Sequence, residues 1–285
     1  MTVSVRAIRG GDLPAVGEFL HTYLNPRISA QTWATVPIVP WQTSAPNYGF
    51  LLEDNNEVVG VYLAFYSNRI INGRDEPFCN LGAWCVRNEY RAHSIRLMKA
   101  LLAQKGYTLT DLSPSGPVVP LNEKLKFQYL DTATVLIPAL PYPAWPSPIT
   151  VTIDPAHIER NLNEVQLQLY RDHAHTAAAN HILITKGRET CYVIYRRDRR
   201  KNMPVFVSIL YVSNPDLFAM AIPQLSRHFL LRHRILAILA ELRIIIHRPK
   251  LSKLLSTPRP KMFRSSHLGP DQIDYLYSEL VCVPW

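Results

Sequence analysis

Apolar and polar residues alternate from the start of the chain, with Val3, Val5 and Ala7 set against Ser4 and Arg6, which predicts a half-exposed strand. Asp12 then stands as the cap of a helix that carries Leu13, Val16, Phe19, Leu20 and Tyr23. Residues 49–53 and 58–71 flank Asp54-Asn55-Asn56 in a hairpin pattern, and Asn72-Gly73-Arg74-Asp75 turns the chain into a further strand through Phe78. That strand continues through the apolar residues 81–86, after which Ile95, Met98, Leu101 and Leu102 recur at helical spacing. Residues 107–112 predict a fifth strand, Ser113-Pro114-Ser115-Gly116-Pro117 breaks it, and residues 128–140 predict two short strands that complete the sheet.

The run Pro141-Tyr142-Pro143-Ala144-Trp145-Pro146-Ser147-Pro148 suits neither a helix nor a central strand, so residues 141–148 read as a stiff linker between domains 1–140 and 149–285. The second part restarts the order of the first. Residues 149–153 predict a strand, Asp154-Pro155 opens a helix through Ile158, Leu162, Val165 and Leu169, and residues 182–185 predict another strand. Residues 190–195 and 204–212 pair across a basic turn at 196–202. Residues 222–242 then read as a long amphipathic helix, 244–247 as a strand, 251–255 as a short helix, and 261–264 with 277–283 as closing strands.

Between the strand ending at Val86 and the following helix, the corner Arg91-Ala92-His93-Ser94 turns tightly. Such a corner aims backbone N–H groups and the positive end of the helix dipole at one point, which suits a phosphate. The stretch resembles the acyl-CoA-binding motif of the GCN5-related N-acetyltransferases, where a strand ending in Val precedes a Pro-Glu-Tyr-Arg-Gly-x-Gly-x-Gly type of loop and a helix. Val86 matches the strand-end valine, and Glu89, Tyr90 and Arg91 match Glu-Tyr-Arg. Ala92, Ser94 and Arg96 take the three glycine positions, with Ile95 as the apolar residue between the last two. Arg96 is bulky for its place, so either the loop is wider there or its side chain itself meets a phosphate.

A second stretch, Leu121-Asn122-Glu123-Lys124-Leu125-Lys126-Phe127, resembles the family's Leu-Tyr-Glu-Lys-Leu-Gly-Phe, which lies on a helix near the CoA thiol. Asn122 stands where many members carry a tyrosine that protonates the leaving thiolate, and an amide gives up no proton at ordinary pH. Ser115 falls where an asparagine usually contacts the cofactor. The resemblance implies an α/β (α+β) chain of two tandem acyl-CoA N-acyltransferase-like domains, each a mixed, mostly antiparallel sheet flanked by helices. It implies acetyl-CoA or another acyl-CoA as cosubstrate, no metal, and direct attack on the thioester by an amine of a small molecule, sugar or peptide. Cys85, Val86, Arg91, Ala92, His93, Ser94, Ile95, Arg96 and Ser115 are then the cofactor-binding set, with the Val86 backbone polarising the carbonyl. Glu76, at the start of the fourth strand, is either the carboxylate that reaches the amine or a solvated turn acid.

The second copy has Val212-Ser213-Asn214-Pro215-Asp216 at its corner, without arginine or glycine, and Asp216 would repel a pyrophosphate, so this copy reads as degenerate. The chain of 285 residues, 47% hydrophobic, is long enough for two buried cores. Its formal net charge of +9 fits an anionic cofactor, an acidic acceptor or simple solubility. Four cysteines without metal or disulfide spacing read as reduced thiols of a cytoplasmic protein, and Cys85 reads as core rather than nucleophile. The N-terminus lacks a signal-peptide pattern, and the apolar stretch 229–246 is interrupted by Arg232, His233, Arg234, Glu241 and Arg243, so no membrane span is expected.

Several features carry alternative readings. The loop 25–48, with Trp33 and Trp41 among its prolines, serves as a substrate lid or as packing. His173, His175 and His181 invite a metal reading that the surrounding residues do not complete. Tyr277 stands in a second Leu-Tyr match, as a substitute acid or a core tyrosine of a last strand. The charges of the basic turn are not interleaved with aromatics, so nucleic acid is not the expected partner. The leading function is an acyl-CoA-dependent N-acyltransferase; the alternative is a catalytically inactive tandem fold that acts as a CoA-binding or protein-interaction module.

Overall fold

A computed structural model describes residues 3–41, 43–143, 146–200 and 203–285, with the backbone alone at Arg200, Met203 and Pro204. The chain runs β1 (Ser4–Ala7), α1 (Leu13–Tyr23), α2 (Ala30–Thr35), β2 (Gly49–Asp54), β3 (Glu57–Ile71), β4 (Arg74–Val86), α3 (Ser94–Leu102), β5 (Thr108–Asp111), α4 (Val118–Lys124) and β6 (Gln128–Tyr129). It continues through β7 (Thr134–Pro138), β8 (Ile149–Thr152), α5 (Pro155–Asn161), α6 (Glu164–His173), β9 (Asn180–Lys186), β10 (Glu189–Arg200) and β11 (Met203–Val212). The remainder is α7 (Pro215–Met220), α8 (Ile222–His233), β12 (Ala237–Glu241), α9 (Leu242–Ile245), β13 (Lys253–Leu254), β14 (Met262–Arg264) and α10 (Glu279–Cys282).

These elements form two compact units. One holds the chain up to Leu130 with Pro260–Ile273 and Tyr277–Pro284; the other holds Asp131–Arg259 with Asp274–Leu276 and Trp285. Each contains a seven-stranded sheet, ordered β1-β2-β3-β4-β5-β14-β6 in the first and β13-β7-β12-β11-β10-β9-β8 in the second. Pairing is antiparallel throughout except β4 with β5 and β11 with β12, where a helix makes the crossover. The two sheets therefore repeat one order of elements, as the sequence suggested.

The boundary differs from the expected one. β7 pairs with β12, from Ala237↔Pro138 to Glu241↔Thr134, so the chain has entered the second sheet before the proline-rich run. Residues 141–148 lie inside the second unit, and Ala144 and Trp145 fall outside the described residues. β14 likewise pairs with β5 and β6 rather than closing the second sheet. Each sheet thus takes one strand from the other half of the sequence, which local patterning cannot reveal.

Three C-terminal expectations are corrected. The helix predicted over 222–242 stops at His233, because Arg234 adopts a left-handed conformation (φ 54°) that ends it, and the buried parallel strand is Ala237–Glu241 rather than 244–247. A short apolar run buried on both faces carries no period-two signal and mimics a helix continuation. Lys253–Leu254 is a short strand, not a helix. Residues 277–283 form no strand: Ser278 caps the one-turn α10, its hydroxyl accepting the Leu280 N–H.

In the first unit, α3 packs Leu97, Met98 and Leu101 with Tyr62, Ala64, Cys79 and Leu81 of the sheet. The 25–48 loop serves packing, since Trp33 and Trp41 are buried and the Trp41 indole donates to the Tyr66 carbonyl at 2.8 Å. β1 is fixed by Arg6, whose guanidinium is bidentate to both Asp12 and Glu53. In the second unit, Val193, Tyr195, Val207, Leu225, Phe229 and Ile238 are among the side chains of a separate core.

α4 ends in a Schellman arrangement, with Phe127 N–H on the Asn122 carbonyl at 3.0 Å and Lys126 N–H on the Glu123 carbonyl at 2.9 Å. This geometry puts Lys126 at φ 64°, a conformation that disfavours any residue with a Cβ, and it explains the glycine of the resembling motif. Lys126→Gly should therefore stabilise the protein by about 0.5–1 kcal/mol. Calorimetry showing an unchanged or lower melting temperature would contradict the strain.

Candidate active site

The fourth strand is interrupted where its partners change. Register runs from Val61↔Cys85 to Leu63↔Gly82, so Ala83 and Trp84 of β4 stand against Tyr62 alone, a bulge in which Ala83 takes φ 53°. Tyr62 and Trp84 stack with ring centroids 4.6 Å apart. On the other side, β4 pairs with β5 only through Phe78, Cys79 and Asn80, against Thr108, Leu109 and Thr110. The pairing ends at Asn80, one residue before β5 itself ends at Asp111, and among the described residues β4 has no partner strand on that side from Leu81 to Val86.

The C-terminal segment of the same unit packs against β4 where this pairing ends. Glu279 N–H donates to Asn80 Oδ1 at 2.8 Å, and Asn80 Nδ2 donates to Thr110 Oγ1 at 3.0 Å. A Cβ on Gly82 would lie 2.9 Å from Glu279 Cβ and 3.3 Å from its Cγ, so only glycine admits the glutamate there. Ser113 Oγ donates to Glu279 Oε1 at 2.9 Å, and Asn122 Nδ2 donates to Asp111 Oδ2 at 2.8 Å.

Both carboxyls are buried, Glu279 completely and Asp111 to 5% exposure. Burial pushes the Asp111 carboxyl up to about 6, against the pull of Asn122 and the Ser113 backbone. Burial, and then the charge of Asp111, push Glu279 up to about 7. Glu279 Oε2 and Asn122 Oδ1 have no hydrogen-bond partner among the described residues. Each buried unpaired acceptor costs about 1–3 kcal/mol, a cost that functional sites characteristically carry.

The corner after β4 is a 3-10 turn, Asn88–His93, that runs directly into α3. The Ser94 N–H is used on the Arg91 carbonyl, and no side chain caps the N-terminus of α3. Arg91 and Ala92 are exposed, while His93, Ser94, Ile95 and Arg96 are half-buried. Among the described residues Arg91 has no hydrogen-bond or ion-pair partner, so its charge is available to an anion. Arg96 is tied instead to the Val3 carbonyl by Nη1 at 2.8 Å.

The other predicted residues are distributed along the same unit. Val86 pairs with Gly60 at the end of β4, and the half-buried Cys85 has its thiol pushed up to about 11 by burial, which keeps it from acting as a thiolate nucleophile. Ser115 is exposed, with its carbonyl accepting the Val118 N–H at the start of α4. Glu76 lies at the opposite end of β4, six residues before Gly82 and so about 20 Å from it. There its Oε2 meets His267 Nε2 at 2.8 Å, and the structure does not bring it to the bulge. Tyr277 does not approach as an acid but packs edge-on to Trp41 with centroids 5.1 Å apart.

Sequence reasoning missed Asp111 and Glu279. The available signal was Gly82, a residue without a side chain inside an otherwise apolar strand, which marks a close approach. In the second unit the corresponding corner is closed, since Asn214 caps α7 by accepting the Leu217 N–H and Asp216 pairs with His247 at 2.8 Å. His173 and His181 are engaged with the Leu169 carbonyl and the Tyr192 hydroxyl, and no group of three His, Cys, Asp or Glu among the described residues could hold a metal ion. The residues expected as a basic turn lie in β10 as far as Arg200, where Arg196 is buried against Asp198, and Lys201 and Asn202 fall outside the described residues. No described helix is long and apolar enough to cross a membrane.

No family model and no curated protein matches the chain. Solved structures do. A GCN5-related N-acetyltransferase from Anabaena variabilis superposes with a TM-score of 0.60 at 12% identity, over 92% of this chain and 72% of that one. A GCN5-related N-acetyltransferase from Kribbella flavida gives 0.58 at 12% identity, over 92% and 71%. N-myristoyltransferase from Saccharomyces cerevisiae, solved with bound myristoyl-CoA, gives 0.53 at 9% identity, over 96% and 83%. The chain therefore has the GCN5-related N-acetyltransferase type of fold, with two mixed sheets flanked by helices.

The raised carboxyls carry a stability signature. Their folded values of about 6 and about 7 lie above the ordinary values near 4, so their protonation stabilises the fold fully at low pH, and that contribution is lost as pH rises through 6 and 7. The melting temperature should fall between roughly pH 4 and pH 7, and Glu279→Gln should flatten the fall. Equal slopes for the native and substituted proteins in calorimetry would contradict this.

Proposed function

We propose that this chain is an acyl-CoA-dependent N-acyltransferase that transfers an acyl group, acetyl in the simplest case, from the thioester to an amine. The observation that carries the reading is the end of β4–β5 pairing at Asn80, followed at the end of β4 by the exposed Arg91 at the approach to α3. Past Asn80 the β5 side of β4 is without a partner strand among the described residues, which leaves that strand edge to a narrow chain, and the α3 start with Arg91 supplies positive potential for its phosphates.

In this arrangement the pyrophosphate meets the Arg91 guanidinium and the backbone around Ala92, His93 and Ile95, with the small Ser94 side chain leaving room for its approach. The pantetheine lies along Cys85 and Val86. The thioester reaches the bulge at Ala83 and Trp84, where strand N–H groups outside the regular ladder polarise its carbonyl. Holding both reactants there supplies most of the acceleration expected of a direct transfer. The likeness to acyltransferase structures supports the same cosubstrate class. The inactive binding module is the second reading, favoured by the amide at Asn122. It predicts CoA binding without thiol release from any acceptor.

Titration calorimetry with acetyl-CoA and CoA tests the site. Arg91→Ala should weaken CoA by about 1.5–3 kcal/mol, the range for a charge-assisted hydrogen bond. Ser94→Gly should be mild, whereas Ser94→Leu should obstruct the backbone approach and cost more. Unchanged affinity in both Arg91→Ala and Ser94→Leu, with folded proteins, would put the cofactor elsewhere.

A further inference from the structure

The acyltransferase reading leaves a gap in the proton balance, because Asn122 holds the place of the usual acid and Glu76 is far from the bulge. Two buried carboxyls lie where β4–β5 pairing ends, and the reading does not use them. Glu279 is fully buried, its Cβ lies against Gly82 next to the bulge, and its Oε1 is held by Ser113. Among the described residues its second oxygen and Asn122 Oδ1 are buried acceptors without donors. What both lack is an N–H, S–H or O–H group, which is what an attacking amine and a leaving thiol bring.

We infer that Glu279 is the proton carrier of the acyl transfer, with Asp111 as its positioning residue, a role that rests on the acyltransferase reading above. The amine nitrogen forms a bond to the thioester carbonyl carbon while one of its protons passes to the Glu279 carboxylate. The C–S bond then breaks, and the thiolate takes that proton from Glu279. Amide and thiol leave, and the carboxylate is as it began. One residue does both tasks, so a tyrosine at position 122 is unnecessary.

The surroundings tune the carrier for this. Facing Glu279 are Asp111 from β5, Tyr62 from β3 and Cys282 from α10, with the neutral Asn80 and Ser113 completing the contacts. These named neighbours are acids or neutral groups, so a second negative charge is disfavoured and the first proton is held near neutrality. Asn122 fixes Asp111, which sets the affinity of Glu279 for its proton without touching the reactants.

The test uses the full chain with acetyl-CoA and three amines: spermidine, glucosamine and an unblocked peptide. Thiol release is followed from pH 5.5 to 9, and CoA affinity is measured alongside. For the native chain kcat/KM should rise with pH to a plateau, with an inflection near 7. Glu279→Gln should lose the inflection and about 10²–10⁴ in rate while keeping CoA affinity. Glu279→Asp should keep the inflection at reduced rate, and Asp111→Asn should move it to lower pH by removing a neighbouring charge. Carbon NMR of the native Glu279 carboxyl, assigned by its loss in Glu279→Gln, should titrate near 7. A midpoint below about 5, or a Glu279→Gln enzyme with native rate and inflection, overturns the inference alone. A native chain that binds no acyl-CoA, or binds it and releases no thiol with any amine, overturns the acyltransferase reading and this inference with it.

Discussion

The first unit is organised around one buried amide. Asn80 is the last β4 residue paired with β5, and its side chain holds both neighbours of that junction, donating to Thr110 and accepting the Glu279 N–H. A buried amide must have its hydrogen bonds met, and here each partner belongs to a different piece of chain. The same contact that ends strand pairing thereby draws the C-terminal turn onto β4. The end of the β4–β5 ladder and the place of Glu279 over Gly82 thus meet at Asn80.

Much of this unit is legible in the sequence because its signals are local. The Asn55-Asn56 hairpin, the apolar run to Val86, the helix through Met98 and the helix around Leu121 each depend on period and turn chemistry within a few residues. The strand Ala237–Glu241 was hidden because an apolar segment buried on both faces has no alternation. β7 and β14 were assigned to the wrong sheets, since strand exchange is set by pairing across more than a hundred residues. Glu279 was invisible for a related reason. A single acid in an apolar ending gains meaning only when the fold lays it over Gly82 and beside Asp111.

The two sheets share an order of elements, yet their corners have diverged in opposite directions. In the second, Asn214 spends its side chain on the helix N-terminus and Asp216 adds negative charge. In the first, no side chain caps α3 and Arg91 stands exposed beside it. A helix start that is already capped has little left to offer an anion, so the proposed phosphate site is the one in the first unit.

The central claim is that the acyl-CoA thioester lies along β4 past the point where its pairing with β5 ends. A crystal structure of the full chain with CoA tests it most directly. The account predicts the pyrophosphate at the start of α3 beside Arg91, and the sulfur at the bulge within reach of Glu279. CoA bound at another surface, away from β4 and Arg91, would contradict it.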